Sequence, residues 1–397
     1  MGLKLSRFDF TKMVPTRKAK IEATPADKLP ELGSYAPNRL AKELHPKKQY
    51  VKVAQITEHS SDVKTYTLVP NADKGTEKLA YFSAGQCLVV ELTVGKAEIT
   101  RPYSLSSSPK DSLNGKYTLT IKRVDGGLAT NFILDNWTVG TEVTVSAPYG
   151  EFTYEPLRDA PVVVGIAGGS GITPFLSLAN AINDGDEDAK LILLYGSRTV
   201  DDILFKKEFD EIEKKCDKVK VVHVLSGEEK EGFEHGFINA DLIKKYAPTG
   251  EYSVFMCGPQ AMYNFVDKEV ATLGLRRKFI RHEVFGEYRN PSENADYPIS
   301  AKGSKFKLTV IMRGEEKVIE CFADDTILNA IEHAGISAPA KCRSGICGYC
   351  HSRLVSGEVY IPKSVDGRRL ADLDYGYVHP CCTFPLSDIV IDVPPAK

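Results

Sequence analysis

The sequence predicts a multi-domain chain: a small antiparallel β-barrel, a doubly wound α/β domain, and a third domain built around a cysteine loop. Three observations carry this. The chain has 397 residues, and at roughly 150 residues per domain that makes two or three domains. Short strands give way to strands alternating with helices near residue 157, the pattern of a parallel sheet. Five of the nine cysteines fall between Cys342 and Cys382.

Composition narrows the class. With 42% hydrophobic and 26% charged residues, the chain is not collagen-like, a coiled coil or fully disordered. A formal net charge of -2 gives the whole molecule no pull toward nucleic acid or anionic membrane. No apolar run reaches the roughly 18 residues that span a bilayer. Met1 to Lys20 contains no signal-peptide apolar region, so a cytoplasmic protein is expected. In that setting an odd cysteine count argues against a disulfide framework and for metal or redox chemistry.

The elements follow in order. Residues 1–48 hold eleven Lys and Arg against five acids, a net +6. Prolines and weak periodicity predict an extended basic arm rather than a domain. Residues 49–156 read as the barrel, with strands at Gln49–Thr57, Val63–Val69, Cys87–Val94, Tyr117–Val124 and Glu142–Ala147, and a helix starting at Leu128. Residues 157–288 read as the α/β domain. Its strands are Pro161–Ile166, Lys190–Tyr195, Val219–Leu225 and Tyr252–Met256, and its helices Pro174–Ile182, Ile203–Lys215 and Ala261–Leu273. Residues 289–304 read as a linker. Residues 305–397 carry strands at Phe306–Arg313, Lys317–Phe322 and Ile389–Val393, and a helix at Thr326–Ala334.

The cysteine loop is the most specific signal. Cys342, Cys347 and Cys350 are spaced C-x4-C-x2-C, and a fourth cysteine follows about thirty residues later, at Cys381 or Cys382. This is the plant-type [2Fe–2S] spacing. Two bridged irons need four thiolates, three of them from one loop that folds back tightly; Gly345 and Gly348 permit the turns. A structural zinc site is the alternative, but its second short cysteine pair is absent.

Two further constellations involve glycine turns. Arg101-Pro102-Tyr103-Ser104 is followed about twenty-five residues on by Gly126-Gly127-Leu128-Ala129-Thr130, which opens a helix. A glycine turn at a helix N-terminus offers amides to a pyrophosphate, and Arg101 can pair with phosphate. Tyr103 can pack on a flavin ring and the Ser104 hydroxyl can reach its polar edge. Gly168-Gly169-Ser170-Gly171 with Thr173 and Pro174 follows an apolar strand and precedes a helix, a turn suited to a dinucleotide phosphate. Cys257-Gly258-Pro259 ends another strand, where ligands of such sheets bind. Ser197 and Arg198 should reach the adenine ribose, and Arg198 could bind a 2′-phosphate. Glu228 and Glu229 would disfavour that phosphate. NADH is favoured over NADPH, with the choice left open.

Together these segments resemble the ferredoxin–NADP reductase superfamily, with its R-x-Y-S and G-G-x-x-S/T motifs in the flavin barrel and G-G-x-G-x-T-P and C-G-P in the nicotinamide domain. Residues 305–397 resemble a plant-type ferredoxin domain, which implies a β-grasp fold. The family pattern of a cysteine followed by proline within a few residues fits Cys381 and Pro385, so the resemblance makes Cys381 the fourth ligand. It further implies that Ile121 and Lys122 line the flavin tail, that Cys257 lies beside the nicotinamide, and that Glu283 and Phe285, in an E-x-F ending, lie near both rings. The flavin is FAD or FMN, with FAD favoured as the commoner. Ser104, Cys257 and Glu283 are the candidates for aligning the hydride transfer.

The implied activity is an NAD(P)H:acceptor oxidoreductase. Nicotinamide gives two electrons at once, a [2Fe–2S] cluster takes one, and flavin converts between them. No oxygenase, globin or substrate domain is read in the chain, so the acceptor is expected to be a separate protein such as an oxygenase or hydroxylase component. Two alternatives stay open: a reductive activator of an anaerobic corrinoid or radical enzyme, and a redox-sensing electron-transfer module. The basic arm is the element expected to dock a partner.

Overall fold

A computed structural model describes residues 7–24, 31–283 and 288–396. Residues 1–46 and 47–397 form two separate compact units.

The first unit is helical, which corrects the expected extended arm. Helix α1 spans Arg7–Glu22 and contains Pro15; α2 spans Ala36–Leu44. Lys18 and Glu22 pair one turn apart at 3.8 Å. Thr16 to Glu22 is rich in good helix formers, and neither helix buries a described side chain. Helix α1 carries no apolar stripe, so a periodicity test does not detect it.

The second unit begins with a six-stranded antiparallel sheet. Its strands are β1 (Gln49–Ser60), β2 (Val63–Pro70), β3 (Cys87–Val94), β4 (Ala97–Ser104), β5 (Tyr117–Lys122) and β6 (Glu142–Val145). The spatial order is β4-β3-β6-β1-β2-β5, and a bridge between Leu105 and Leu119 brings the two edges together. Val51, Tyr66, Leu88, Val90, Leu119 and Val145 fill the inside. Helices α3 (Pro109–Leu113) and α4 (Leu128–Asn136) flank the sheet. The whole Arg101–Ser104 segment lies within β4, a strand absent from the sequence-based expectation. Gly95 supplies the positive-φ turn between β3 and β4, and a short polar hairpin carries little alternation of its own.

Next comes a parallel sheet of six strands: β7 (Val162–Gly168), β8 (Lys190–Ser197), β9 (Val219–Leu225), β10 (Glu234–His235), β11 (Ser253–Cys257) and β12 (Ile280–Glu283). Its order is β10-β9-β8-β7-β11-β12. The chain winds outward from β7 and then returns to the other side, so the switch point lies between β7 and β11. Helices α5 (Thr173–Asp184) and α6 (Lys206–Lys215) cover one face. On the other face pack α7 (Ala240–Tyr246) and α8 (Gln260–Ala271).

The C-terminal domain holds β13 (Lys305–Met312), β14 (Glu315–Phe322), helix α9 (Ile327–His333), β15 (Ser352–Ser356), β16 (Val359–Tyr360), helix α10 (Leu370–Asp374), β17 (Tyr377–Val378), β18 (Phe384–Pro385) and β19 (Ile389–Asp392). The main sheet runs β14-β13-β19-β15-β17, with β13 and β19 parallel and the remaining pairs antiparallel. Ile327, Leu328 and Ile331 of α9 pack on Leu308, Val310 and Ile391 of this sheet. The segment read as a linker is tied down on this domain: Tyr297 packs edge-on against Tyr360, and Tyr288 against Phe384.

Candidate functional site

One cavity of about 820 Å³ opens where the three domains of the second unit meet. Each wall is built by a local necessity of the chain.

The flavin-motif wall is the C-terminal end of β4. Arg101 and Tyr103 alternate with the buried Pro102 and Ser104, as strand geometry requires. Ser104 lies opposite Cys87 of β3. Beside it, Gly126 turns with φ +65° and Gly127 caps α4. A Cβ on Gly127 would stand 2.9 Å from the Val124 carbonyl and 2.7 Å from Oγ1 of Thr130, so the turn admits only glycine. Oγ1 of Thr130 accepts from the Val124 amide at 3.1 Å and closes that turn. Ile121, Lys122, Leu128, Ala129 and Thr130 complete this wall.

The nicotinamide-motif wall lies at the switch point. Gly168 ends β7, and Gly169 turns with φ +54° into a single 3₁₀ turn before α5. A Cβ on Gly171 would stand 2.1 Å from the Cys257 carbonyl, and one on Gly168 3.0 Å from Pro259 Cδ. Two motifs some eighty residues apart thus meet back to back, because β7 and β11 are neighbours with Ala167 opposite Cys257. Cys257 in turn lies opposite Glu283 on β12. Tyr263 accepts from the Gly258 amide at 3.1 Å and donates to the Glu283 carbonyl at 2.5 Å, fixing this corner. Burial pushes the Cys257 thiol up, and pushes the Glu283 carboxyl up to about 8.

Ser104, Cys257 and Glu283 therefore face one space. Pro174 does not line it; it is buried in the first turn of α5. Ser197 and Arg198 also lie off it, at the end of β8. There the Gly227 amide donates to the Arg198 carbonyl at 2.8 Å, and Glu228 accepts from the Val200 amide at 2.6 Å. Phe285 lies outside the described residues.

The cysteine loop folds on itself. Amides of Ser344 and Cys347 approach the Cys342 sulfur at 3.5 and 3.4 Å, and the Tyr349 amide approaches that of Cys347 at 3.4 Å. The Cys347 sulfur and the amides of Ser344 and Cys347 hold the Cys342 thiol well below its usual range. The sulfurs of Cys350 and Cys381 are 3.4 Å apart. Four thiols thus gather as two pairs, Cys342 with Cys347 and Cys350 with Cys381, a donor set that suits two irons with two thiolates each. Cys382 turns its thiol to the His379 carbonyl at 3.5 Å instead. A Cβ on Gly345 would stand 2.1 Å from the Val365 carbonyl, so this tight turn also needs its glycine.

The structure adds residues that no motif pointed to. Glu332 of α9 binds both Arg101 and Arg343. Lys341 Nζ lies 4.3 Å from the centre of the Tyr149 ring, beside Cys87. No local pattern marks these residues: the Arg101–Glu332 and Lys341–Tyr149 contacts join different domains, and the Arg343–Glu332 pair joins the cysteine loop to α9.

Comparison with known proteins follows the same three divisions. Family models of an oxidoreductase FAD-binding domain, an oxidoreductase NAD-binding domain and a 2Fe-2S iron-sulfur cluster binding domain match residues 50–154, 166–268 and 310–386. The chain is 27% identical over 359 residues to the glycine betaine monooxygenase reductase subunit of Chromohalobacter salexigens, covering 86% of this chain and 94% of that protein. It is 29% identical over 345 residues to the ferredoxin reductase component of the 3-ketosteroid-9-alpha-monooxygenase of Rhodococcus rhodochrous, covering 85% and 94%. Among solved structures, phthalate dioxygenase reductase superposes with a TM-score of 0.62 at 25% identity, covering 87% of this chain and 98% of that one. No described helix is long and apolar enough to cross a membrane.

Proposed function

The chain belongs to the ferredoxin–NADP reductase superfamily, as a single-chain flavin and nicotinamide reductase with a C-terminal plant-type ferredoxin domain, and on that premise we propose how its residues divide the work and what takes its electrons. It is an oxidoreductase that moves electrons from NAD(P)H through FAD and a [2Fe–2S] cluster to a separate acceptor protein. When bound, these groups supply a hydride donor, a two-to-one-electron converter and a one-electron carrier.

The protein's part is positioning. Arg101 and the amides of Leu128 to Thr130 would hold the flavin phosphates, and Tyr103 and Ser104 would orient the ring. Gly168 to Gly171 seat the dinucleotide phosphates at the start of α5. Cys257 and Glu283 line the space in which a nicotinamide would meet the flavin, and at neutral pH the Glu283 carboxyl keeps its proton. Cys342, Cys347, Cys350 and Cys381 hold the cluster. Glu228, seated beside Arg198, selects NADH by disfavouring a 2′-phosphate. The acceptor is an oxygenase component, as it is for the relatives named above. The carrying observation is the single cavity that gathers Ser104, Cys257 and Glu283 while its flavin strand touches the segment entering the cysteine loop.

Reconstituted protein tests this. NADH should reduce a dye through the flavin in both wild type and Cys347→Ser. Only the wild type should show cluster absorbance and reduce a one-electron acceptor protein. Cluster absorbance retained in Cys347→Ser would remove that residue from the ligand set, and absence of flavin from the wild type would overturn the whole reading.

A further inference from the structure

We propose that Glu332 is a positioning residue that locks the ferredoxin domain onto flavin strand β4 and so links flavin binding to placement of the cluster loop. This rests on the reading of both centres given above.

Glu332 sits in the last turn of α9 with its side chain 1% exposed. Two guanidinium forks close on its one carboxylate. Arg343 reaches Oε1 through Nη1 at 2.8 Å and Oε2 through Nη2 at 3.2 Å. Arg101 reaches Oε2 through Nη2 at 2.8 Å and Oε1 through Nη1 at 3.3 Å. Such planar, two-pronged pairing fixes orientation as well as contact. Arg343 directly follows the first loop cysteine and holds a left-handed φ of +58°. Its side chain also donates to Asn329 on α9 at 2.8 Å. Arg101 is the arginine of the flavin motif. One carboxylate therefore joins the flavin motif to the backbone beside Cys342.

The rest of β4 follows suit. The Glu98 amide donates to Ser337 Oγ at 2.9 Å, and Thr100 Oγ1 donates to the Ala340 carbonyl at 2.6 Å. The strand that ends in the flavin motif is thus fastened along its length to residues 332–343, which lead into the cysteine loop. Arg101 serves Glu332 and the flavin phosphate site with a single side chain. A carboxylate from one domain orients the guanidinium that the other domain's ligand needs. Flavin binding and ferredoxin docking must then strengthen each other by the same factor.

The test uses the full-length protein carrying flavin and cluster, as wild type, Glu332→Gln and Glu332→Asp. Glu332→Gln should weaken FAD binding by about tenfold, within the range for coupled sites. It should also enlarge the molecule in small-angle X-ray scattering. Stopped-flow bleaching of the flavin by NADH should stay at the wild-type rate under saturating FAD, while reduction of the cluster slows by about tenfold or more. An unaltered cluster EPR spectrum would show that the loop itself is intact, and Glu332→Asp should recover part of each effect. Wild-type FAD affinity together with wild-type scattering in Glu332→Gln would overturn the proposal. If that variant does not fold, hydrogen exchange on the wild type decides: residues 332–343 should exchange more slowly with FAD than without it, and equal exchange overturns the link. Each outcome is read on protein already shown to bind flavin and cluster, so it is distinct from failure of the reading itself.

Discussion

Glu283 is the residue whose chemistry is most open to pH. Its carboxyl is raised to about 8 by burial, against roughly 4.3 in an unfolded chain. The folded protein thus keeps a proton that the unfolded chain releases. The stability this gives is full below the unfolded value and is lost as pH rises through about 8. Thermal melts of the wild type should fall from pH 5 to pH 9, and Glu283→Gln should flatten that slope. The same substitution should remove any inflection near pH 8 from the rate of flavin reduction by NADH. Ser104→Ala should slow that step about tenfold or more while leaving flavin bound; unchanged stopped-flow traces would sink the role. Glu228→Arg should shift kcat/KM toward NADPH by about tenfold, worth ~1.4 kcal/mol, as measured with both coenzymes. At this scale most candidates were legible, because local motifs name Ser104, Cys257, Glu283 and the cysteines. Glu332 and Arg343 were not, since nothing near them in sequence signals that Glu332 meets Arg101 of another domain or that Arg343 folds back onto α9.

At the scale of elements, strong periods read well and short polar pieces did not. Strands β3 and β9 lie where alternation and apolar content predict them. The sequence reading passed over β4, α7, β12 and the small strands after Ser352, each too short or too polar to show a period. The glycine loop after β7 was legible as a turn, but its tightness comes from β11 pressing against it. That makes a prediction. Gly171→Ala would drive a Cβ to within 2.1 Å of the Cys257 carbonyl and should cost about 1–3 kcal/mol. Urea denaturation should show that loss, accompanied by a raised KM for NADH. A wild-type midpoint and KM would mean that β11 can move aside.

For the whole molecule, residues 47–397 form a compact unit without the first 46 residues. Removing residues 1–46 should leave the NADH-to-dye rate and the main melting transition unchanged. If the arm docks the acceptor, the same truncation should flatten the salt dependence of acceptor reduction while the dye rate holds. An unchanged salt dependence would remove the arm from that role.

The sequence by itself determined which three cofactor domains the chain carries and their order. Each is announced by a spacing that a single loop must have: four thiolates for two irons, and glycines where a phosphate or a neighbouring strand comes close. Tertiary structure alone decided how those domains meet. The pairing of Arg101 with Glu332 spans 231 positions, and the meeting of the glycine loop with Cys257 depends on β11 returning beside β7. Local periodicity records the neighbours of a residue along the chain; contacts set by domain packing leave no such record until the chain is folded.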